Sequence, residues 1–268
     1  MPYIRANGIR FACDSFGSML RKPVFLIHGL ASQRMSIYAI AERLADDYFV
    51  ITYDCRGHGQ TDHPASYTLA DHGRDLLALI DAFGYDKAAV LGVSMGSYIS
   101  LQAAEMASEK IEKLVLVATK GVDDGSGSSV QRLLREAGLD LSKASQEQID
   151  RIVRNAFWSP GTTLEMMKAL APKMQAKGEN LVALTPEESA AVNNALVGFD
   201  LRPDLKKVEC PTLVIAGKYD GINPPAKGKE VADGIPGAEF AEIPGGHALV
   251  AECEDDFIRC VRAFLEKT

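Results

Sequence analysis

The stretch Gly92-Val93-Ser94-Met95-Gly96 decides the fold of this chain of 268 residues. It follows the apolar run Ala88–Leu91, which predicts a buried strand, and it leads into a helical pattern over about Met95–Met106. A serine between a strand and a helix lies on a sharp turn, and glycines on both sides let neighbouring backbone pass without a Cβ clash. The sequence therefore predicts a serine hydroxyl that is lifted clear of the end of a strand.

Short apolar runs alternate with helical patterns on both sides of this turn. Further strands are predicted at Val24–Ile27, Phe49–Tyr53, Leu114–Ala118, Thr212–Ala216 and Glu239–Ile243. Helices between and after them are predicted over about Arg34–Ala45, Leu69–Phe83 and Asp255–Leu265. Asn7-Gly8, between Ile4 and the run Ile9–Cys13, predicts an N-terminal hairpin. Continuous Val, Ile and Leu runs separated by helices indicate an α/β fold with a parallel sheet that is buried on both faces.

Residues 121–208 interrupt this alternation. They begin with the polar joint Gly121–Ser129, and no strand is predicted between that joint and Val208. Helices are predicted over about Val130–Ala137, Gln146–Phe157, Thr163–Ala176 and Pro186–Val197. We therefore expect an α/β core built from residues 1–120 and 209–268, with residues 121–208 inserted as a helical unit.

Composition and charge exclude several classes of protein. The 29 basic and 36 acidic residues give a net charge of −7 without a Lys/Arg cluster, so we expect no nucleic-acid or anionic-membrane partner. No apolar run approaches the roughly 18 residues of a membrane span, and residues 1–30 lack the apolar stretch of a secretory signal. The five cysteines form no C-x-x-C pair, which favours reduced thiols. We expect a cytoplasmic monomer or homodimer that uses no metal ion or cofactor.

The candidate base for Ser94 is His247. A serine hydroxyl is a poor nucleophile at neutral pH, so it needs a base that a carboxylate orients. On a strand–turn–helix serine, the expected chain order is serine, acid, histidine, and His247 is the one histidine that follows Ser94. Two histidines beside glycines are expected to make structural hydrogen bonds, namely His28 and His58. Two more are expected on the surface, namely His63 and His72.

Asp220 is the candidate acid. It follows the predicted strand Thr212–Ala216, at the kind of carboxyl strand end where open α/β sheets place their sites. Asp123 and Asp124, which follow the preceding core strand, are alternatives. Their neighbours Gly125-Ser126-Gly127 favour a solvated hinge at that position, so we prefer Asp220.

An acyl-transfer site also needs hydrogen-bond donors for the oxyanion. The amide after the nucleophile, that of Met95, is one candidate donor. The second is expected in the loop that follows the strand ending at Ile27, where the amide of Leu30 is the candidate. Both are backbone roles, so these side chains are free to line a pocket.

Five motifs occur in an order that resembles the α/β-hydrolase superfamily. They are His28-Gly29-Leu30, Tyr53–Gly59, Gly92–Gly96, Gly217–Asp220 and Gly245–His247. The chain is similar to the branch of serine esterases, enol-lactonases and C–C-bond hydrolases. This resemblance implies a mostly parallel twisted sheet flanked by helices, with a helical cap over the active site at the place where residues 121–208 are inserted. It also implies that Asp54–Gly59 is mainly a structural loop.

The chain departs from the usual motifs of that superfamily at several positions. Ser97 replaces a glycine and could crowd the helix after the nucleophile, and Cys253 replaces a frequent proline and is expected to be a packing residue. Ala248 stands where C–C hydrolases often have tryptophan. A serine at position 94 argues against dehalogenase chemistry, which needs aspartate there, and Leu30 weakens a perhydrolase interpretation.

The inserted residues 121–208 carry a net charge of −1, from 11 basic and 12 acidic residues, and so offer no attraction for a polyanion. Their large apolar residues are candidates for an apolar substrate pocket: Phe157, Trp158, Met166, Met167, Leu170 and Met174. The alternative is that these residues pack the helical unit together. We expect a serine hydrolase for a small to medium, mostly apolar carboxylic ester or lactone. The alternatives are C–C-bond hydrolysis of a vinylogous diketone acid, or a hydrolase-fold signal receptor or partner-binding protein with slow turnover.

Overall fold

The structure, a computed structural model, describes residues 3–123, 129–140, 142–174 and 182–267. Asp124 and the side chain of Met174 lie outside this description. The strands are β1 (Tyr3–Ala6), β2 (Ile9–Phe16), β3 (Pro23–Ile27), β4 (Phe49–Tyr53), β5 (Ala88–Val93), β6 (Ile111–Val117), β7 (Thr212–Gly217) and β8 (Glu239–Ile243). They form one sheet in the order β1-β2-β4-β3-β5-β6-β7-β8. The pairs β1–β2 and β2–β4 are antiparallel and the others parallel, which confirms the predicted fold class.

Helices cover both faces of the sheet. They are α1 (Tyr38–Leu44), α2 (Leu69–Ala82), α3 (Met95–Met106), α4 (Ser129–Glu136), α5 (Gln146–Phe157), α6 (Leu164–Met174), α7 (Pro186–Asn194), α8 (Pro225–Gly234), α9 (Leu249–Glu252) and α10 (Glu254–Leu265). Helices α2, α3 and α8 pack on one face, and α1 and α10 pack on the other. Along β3, Phe25 and Ile27 point to the first layer while Val24 and Leu26 point to the second, as the two-residue period of a strand requires.

The predicted hairpin and strands are confirmed, and the helices differ from the prediction in three places, one of which is the short α9, which was not predicted. The helix expected over Arg34–Ala45 begins as a 3-10 turn over Arg34–Ile37 before α1. Helix α8 was not predicted, because glycines inside its sequence lower helix propensity. The structure shows why one of them is there: a Cβ at Gly234, the last residue of α8, would lie 2.3 Å from Leu205 Cδ1.

Residues 121–208, called here the helical segment, leave the core after β6 and return before β7 and contain α4 to α7. The two ends of the helical segment lie side by side. Val122 and Asp200 form an isolated antiparallel bridge, and the Leu201 amide donates to the Gly121 carbonyl at 2.8 Å. Beyond this junction the chain packs into the core through the buried Leu205. None of the described helices combines the length and the apolar character that crossing a membrane requires.

Candidate active site

Ser94 lies on a strained turn between β5 and α3. Its φ of 53° is in the left-handed region, which is rare for a residue with a side chain. A Cβ at Gly92 would lie 2.1 Å from the Gly96 carbonyl oxygen, and one at Gly96 would lie 2.4 Å from the Ile27 carbonyl oxygen. Both glycines of the motif are therefore required for steric reasons. The Ser97 hydroxyl donates to the Ser94 carbonyl at 2.6 Å, so it binds the turn and does not crowd it.

The structure brings Ser94, His247 and Asp220 into one hydrogen-bonded chain. The distance from Ser94 Oγ to His247 Nε2 is 3.0 Å, and that from His247 Nδ1 to Asp220 Oδ2 is 2.8 Å. Because a carboxylate only accepts hydrogen bonds, Nδ1 is the donor to Asp220 and Nε2 is left to accept the serine proton. The other oxygen of Asp220, Oδ1, accepts from the amides of Ile222 and Asn223, each at 2.8 Å. The alternative acid, Asp123, is not part of this hydrogen-bonded chain: it lines the same cavity as Ser94, and its Oδ2 accepts from the Gly198 amide.

The loop after β3 lies against this serine. Met95 is the first residue of α3, so its amide has no acceptor inside the helix. In the described chain the Leu30 amide donates to no acceptor, and Leu30 lines the same cavity as Ser94 and Met95. His28 holds the loop, since its Nδ1 donates to the Gly29 carbonyl at 2.8 Å and its Nε2 accepts from the Cys55 amide at 3.0 Å.

Tyr98 is a second hydroxyl beside Ser94, and none of the sequence motifs predicted it. Asn223 Nδ2 donates to its phenol oxygen at 2.5 Å and to the Ala118 carbonyl at 2.6 Å. Burial raises the pKa of Tyr98, and hydrogen bonds with Asn223 and Ser94 act in the opposite direction. Tyr98 stands four residues after Ser94, so both lie on the same face of α3, and this spacing was the available signal.

Comparison with known families agrees with this geometry. The model of the alpha/beta hydrolase fold family matches residues 22–252. The chain belongs to the α/β-hydrolase family. It is 28% identical over 268 residues to 3-oxoadipate enol-lactonase 2 of Acinetobacter baylyi, covering 98% of this chain and 96% of that protein. It is 27% identical over 248 residues to a pimeloyl-(acyl-carrier protein) methyl ester esterase of Chromobacterium violaceum, covering 91% and 94%.

A solved structure supports the same family assignment. The enol-lactonase from Burkholderia xenovorans superposes with a TM-score of 0.79 at 25% identity, covering 99% of this hydrolase and 100% of that chain. Because the match extends over both complete chains, it includes the helical segment as well as the α/β core.

A cavity of about 740 Å³ opens above Ser94 in this hydrolase. The helical segment contributes part of its wall, through Asp123, Gln131, Phe157, Asn193, Leu196, Val197 and Phe199. Of the pocket residues expected from the sequence, only Phe157 lines the cavity among those described. The residues after α7 were not expected there.

The other expected pocket residues lie away from the cavity of this hydrolase. Trp158 packs edge-on against Phe157, with ring centroids 5.7 Å apart. Met166 is exposed, and Leu170 lines a shallow depression beside Arg43. Met167, on the same helix, is absent from the cavity lining. The physical reason is that α6 packs against α9 and the 3-10 turn before α1, with Leu164 and Met166 exposed, and none of the described residues of α6 lines the cavity.

The end of α5 is bonded to both loops that carry His247 and Asp220. The Ala248 amide donates to the Phe157 carbonyl at 3.1 Å, and the Gly221 amide donates to the Ala156 carbonyl at 2.9 Å. The Phe157 ring lies 5.3 Å from the His247 ring. Residues of the helical segment therefore contact the neighbours of two members of the hydrogen-bonded chain.

Glu252 strengthens this junction. Its Oε1 accepts from the Ser159 amide at 3.0 Å, from the Ser159 hydroxyl at 2.8 Å and from the Thr162 hydroxyl. Its Oε2 accepts from the Gly246 amide, next to His247, at 2.6 Å. Burial disfavours the charge, but the hydrogen bonds from Thr162, Gly246 and Ser159 outweigh it and lower the pKa of Glu252. One carboxylate thus joins the α5–α6 connection to the histidine loop.

The remaining histidines are structural, and the surface expectation is wrong for His72. Its ring is buried on the inner face of α2 against Tyr67, with centroids 5.2 Å apart. His63 is also largely covered, because Glu188 of α7 lies 2.8 Å from its Nδ1. His28 and His58 pack ring against ring, 5.2 Å apart, as the prediction of structural roles requires. Burial lowers the pKa of His28 to about 4 and that of His58 to about 3.

Cys253 behaves as a packing residue in this hydrolase. Burial raises the pKa of its thiol, and the negative charge of Glu252 raises it further, so the thiolate is disfavoured. Within the described ranges, no three His, Cys, Asp or Glu side chains are arranged to hold a metal ion.

Proposed function

We propose that this hydrolase cleaves a small to medium carboxylic ester or lactone through an acyl-enzyme on Ser94. The observation that carries the proposal is the continuous chain from Ser94 Oγ through His247 to the buried Asp220, at the floor of a largely apolar cavity. The names of the relatives, an enol-lactonase and a methyl ester esterase, support an ester or lactone carbonyl as the reacting group.

In the first step His247 Nε2 takes the Ser94 proton while Oγ attacks the substrate carbonyl carbon. The amides of Met95 and Leu30 hold the resulting oxyanion, and Asp220 stabilises the imidazolium. The bond to the leaving oxygen then breaks, and His247 returns the proton to that oxygen. The product is an acyl group on Ser94 and a free alcohol, which stays tethered to the acyl chain when the substrate is a lactone.

In the second step water replaces the alcohol. His247 accepts a proton from water as its oxygen attacks the acyl carbon, and the same two amides hold the second oxyanion. Collapse breaks the bond to Ser94 Oγ, which regains its proton from His247. Free acid is released. In this proposal residues 121–208 act as a lid over the cavity, since several of them form its wall.

The test is hydrolysis of 4-nitrophenyl butyrate by the wild type and by Ser94→Ala. We expect the substitution to lower kcat/KM by about 10⁴-fold or more while the protein stays folded, because triad serines contribute that much in other enzymes. Ser18→Ala, in an exposed loop, is the matched control and keeps full activity.

Two results would contradict the proposal. Wild-type turnover in Ser94→Ala would eliminate Ser94 as the nucleophile. A serine that a fluorophosphonate labels, in a protein that shows only one turnover on every ester and lactone of a graded panel, would favour a receptor with vestigial chemistry.

A further inference from the structure

Lys120 brings a positive charge to the cavity that the proposed reaction does not use. Among the described residues that line the cavity, it is the only Lys or Arg. It follows β6, and the Ser94 amide donates to the Val117 carbonyl at the end of that strand at 2.9 Å. Lys120 and Ser94 therefore rise from neighbouring parallel strands at the same edge of the sheet.

Among the described residues, the ammonium of Lys120 has one charged partner, Asp123, which also lines the cavity. Its side chain is 22% exposed, and the distance from Nζ to Asp123 Oδ1 is 3.4 Å, longer than the 2.7–2.9 Å typical of a charge-assisted hydrogen bond. The other oxygen of Asp123 accepts from the Gly198 amide at 2.9 Å, so part of that negative charge is held by the backbone. An ammonium has three N–H donors, and the described chain offers this one a single long contact to an acceptor.

The surroundings of Lys120 hold the charge in place. Its Nζ lies 5.8 Å from the Tyr98 ring centroid and 5.6 Å from that of Phe199, and both rings line the cavity. The hydroxyl of the same Tyr98 contacts Ser94. Tyr98 therefore lies beside both the cation and the nucleophile. The lining of the same cavity also includes apolar side chains, among them Leu30, Ile37 and Val250.

We propose that Lys120 is a subsite for a carboxylate on the substrate, so that the preferred substrates are esters or lactones with a free carboxylate a short chain away from the reacting carbonyl. This inference rests on the proposed function and revises the mostly apolar substrate expected from the sequence. Apolar walls that fix a short carbon chain, with one cation at its end, form the usual pattern of a specific small-molecule site.

The test compares two esters that differ by one carboxylate, 4-nitrophenyl butyrate and mono-4-nitrophenyl glutarate. In Lys120→Met we expect kcat/KM for the glutarate ester to fall by about tenfold or more, mainly through KM, because an ion pair to a partly buried charge is lost. Activity on the butyrate ester stays within about twofold, and Lys120→Arg restores most of the preference. Lys267→Met, which removes a lysine that also lies over an aromatic ring but far from the cavity, is the control.

Binding without turnover separates this inference from the proposed function. Calorimetry of the glutarate ester with Ser94→Ala is compared with the same measurement on the Ser94→Ala, Lys120→Met double variant. We expect about tenfold weaker binding in the double variant. Equal losses for both esters, or equal binding in the two variants, would overturn the carboxylate subsite even if Ser94 proves to be the nucleophile. If binding depends on Lys120 but turnover does not depend on Ser94, the proposed function is rejected and the carboxylate subsite is kept.

Discussion

Gly96, two residues after Ser94, has no space for a side chain. A Cβ at Gly96 would lie 2.4 Å from the Ile27 carbonyl oxygen and 2.8 Å from the His28 carbonyl oxygen. Both carbonyls belong to the segment that carries the Leu30 amide. A side chain at Gly96 would therefore push the turn at Ser94 away from one of the two candidate oxyanion donors.

Replacing Gly96 with alanine should damage stability and activity together. We expect Gly96→Ala to lower the free energy of unfolding by about 1–3 kcal/mol, the usual cost of forcing a methyl group into a packed site, and to abolish ester hydrolysis. Urea denaturation and a 4-nitrophenyl butyrate assay measure the two effects. In Gly161→Ala, where a Cβ meets nothing within 4 Å, both quantities should stay near wild type. An unchanged unfolding midpoint in Gly96→Ala would show that the close approach is not real.

For single residues, the sequence predicted those side chains whose positions are fixed by the ends of strands. Ser94, Asp220 and His247 each follow a strand, and the structure brings them together. Asn223 was missed because its contact with Tyr98 joins positions 125 residues apart, and nothing local in the sequence marks it.

At the scale of elements, the junction between α5, α9 and the histidine loop is the most specific contact of the helical segment. Glu252 accepts hydrogen bonds from Ser159, Thr162 and Gly246, and each contact needs a carboxylate oxygen as acceptor. An amide in its place presents an NH₂ group to one of these N–H or O–H donors. The two segments would then lose part of what holds them together.

Glu252→Gln should therefore loosen the α5–α6 connection and displace His247. We expect kcat to fall by about tenfold, since hydrogen bonds to a charged group contribute about 1.5–3 kcal/mol, and amide hydrogen exchange over residues 158–163 to accelerate. Glu147→Gln, an exposed substitution near the start of α5, is the control and should change neither quantity. Faster exchange without a loss of kcat would mean that the junction holds the segment but does not position the histidine.

Strands and helices with strong apolar patterns were predicted close to their observed bounds. Two interpretations failed for a physical reason. The glycines of α8, one of which leaves room for Leu205, hid this helix in the sequence, because glycine lowers helix propensity whatever its packing role. The Met and Leu residues of α6 predicted a covered face, but Leu164 and Met166 are exposed and Met167 and Leu170 are only half-buried, because an apolar pattern alone does not say what covers it.

For the whole molecule, buried neutral histidines link stability to pH. Burial lowers the pKa of His28 to about 4 and that of His58 to about 3, and it also lowers the pKa of His72. In the unfolded chain these groups bind protons near pH 6.5, so below that value the unfolded state binds more protons than the folded state. Burial raises the pKa of Glu105 to about 8, which acts in the opposite direction and offsets part of the effect.

We therefore expect the free energy of unfolding to decrease as the pH falls from about 6.5 to 5. Each histidine contributes about 1.4 kcal/mol per pH unit within that window. Urea denaturation at several pH values measures the slope, and His58→Gln should reduce it by the share of one histidine whatever its effect on stability at pH 7. A slope that is the same in His58→Gln and in wild type would mean that His58 takes up its proton in the folded state.

The junction at Val122 and Asp200 has a consequence for the descent of such chains. Because the helical segment starts and ends at adjacent points, the α/β core closes without it. One such segment can therefore be exchanged for another of different length in the course of evolution. Such an exchange has one requirement. The helical segment contains the carbonyls of Ala156 and Phe157, which accept hydrogen bonds from the loops of Asp220 and His247 and are lost when it is replaced. A replacement segment would have to supply equivalent hydrogen-bond acceptors. A change of the segment that alters the substrate cavity would therefore also alter the support of the Asp220 and His247 loops.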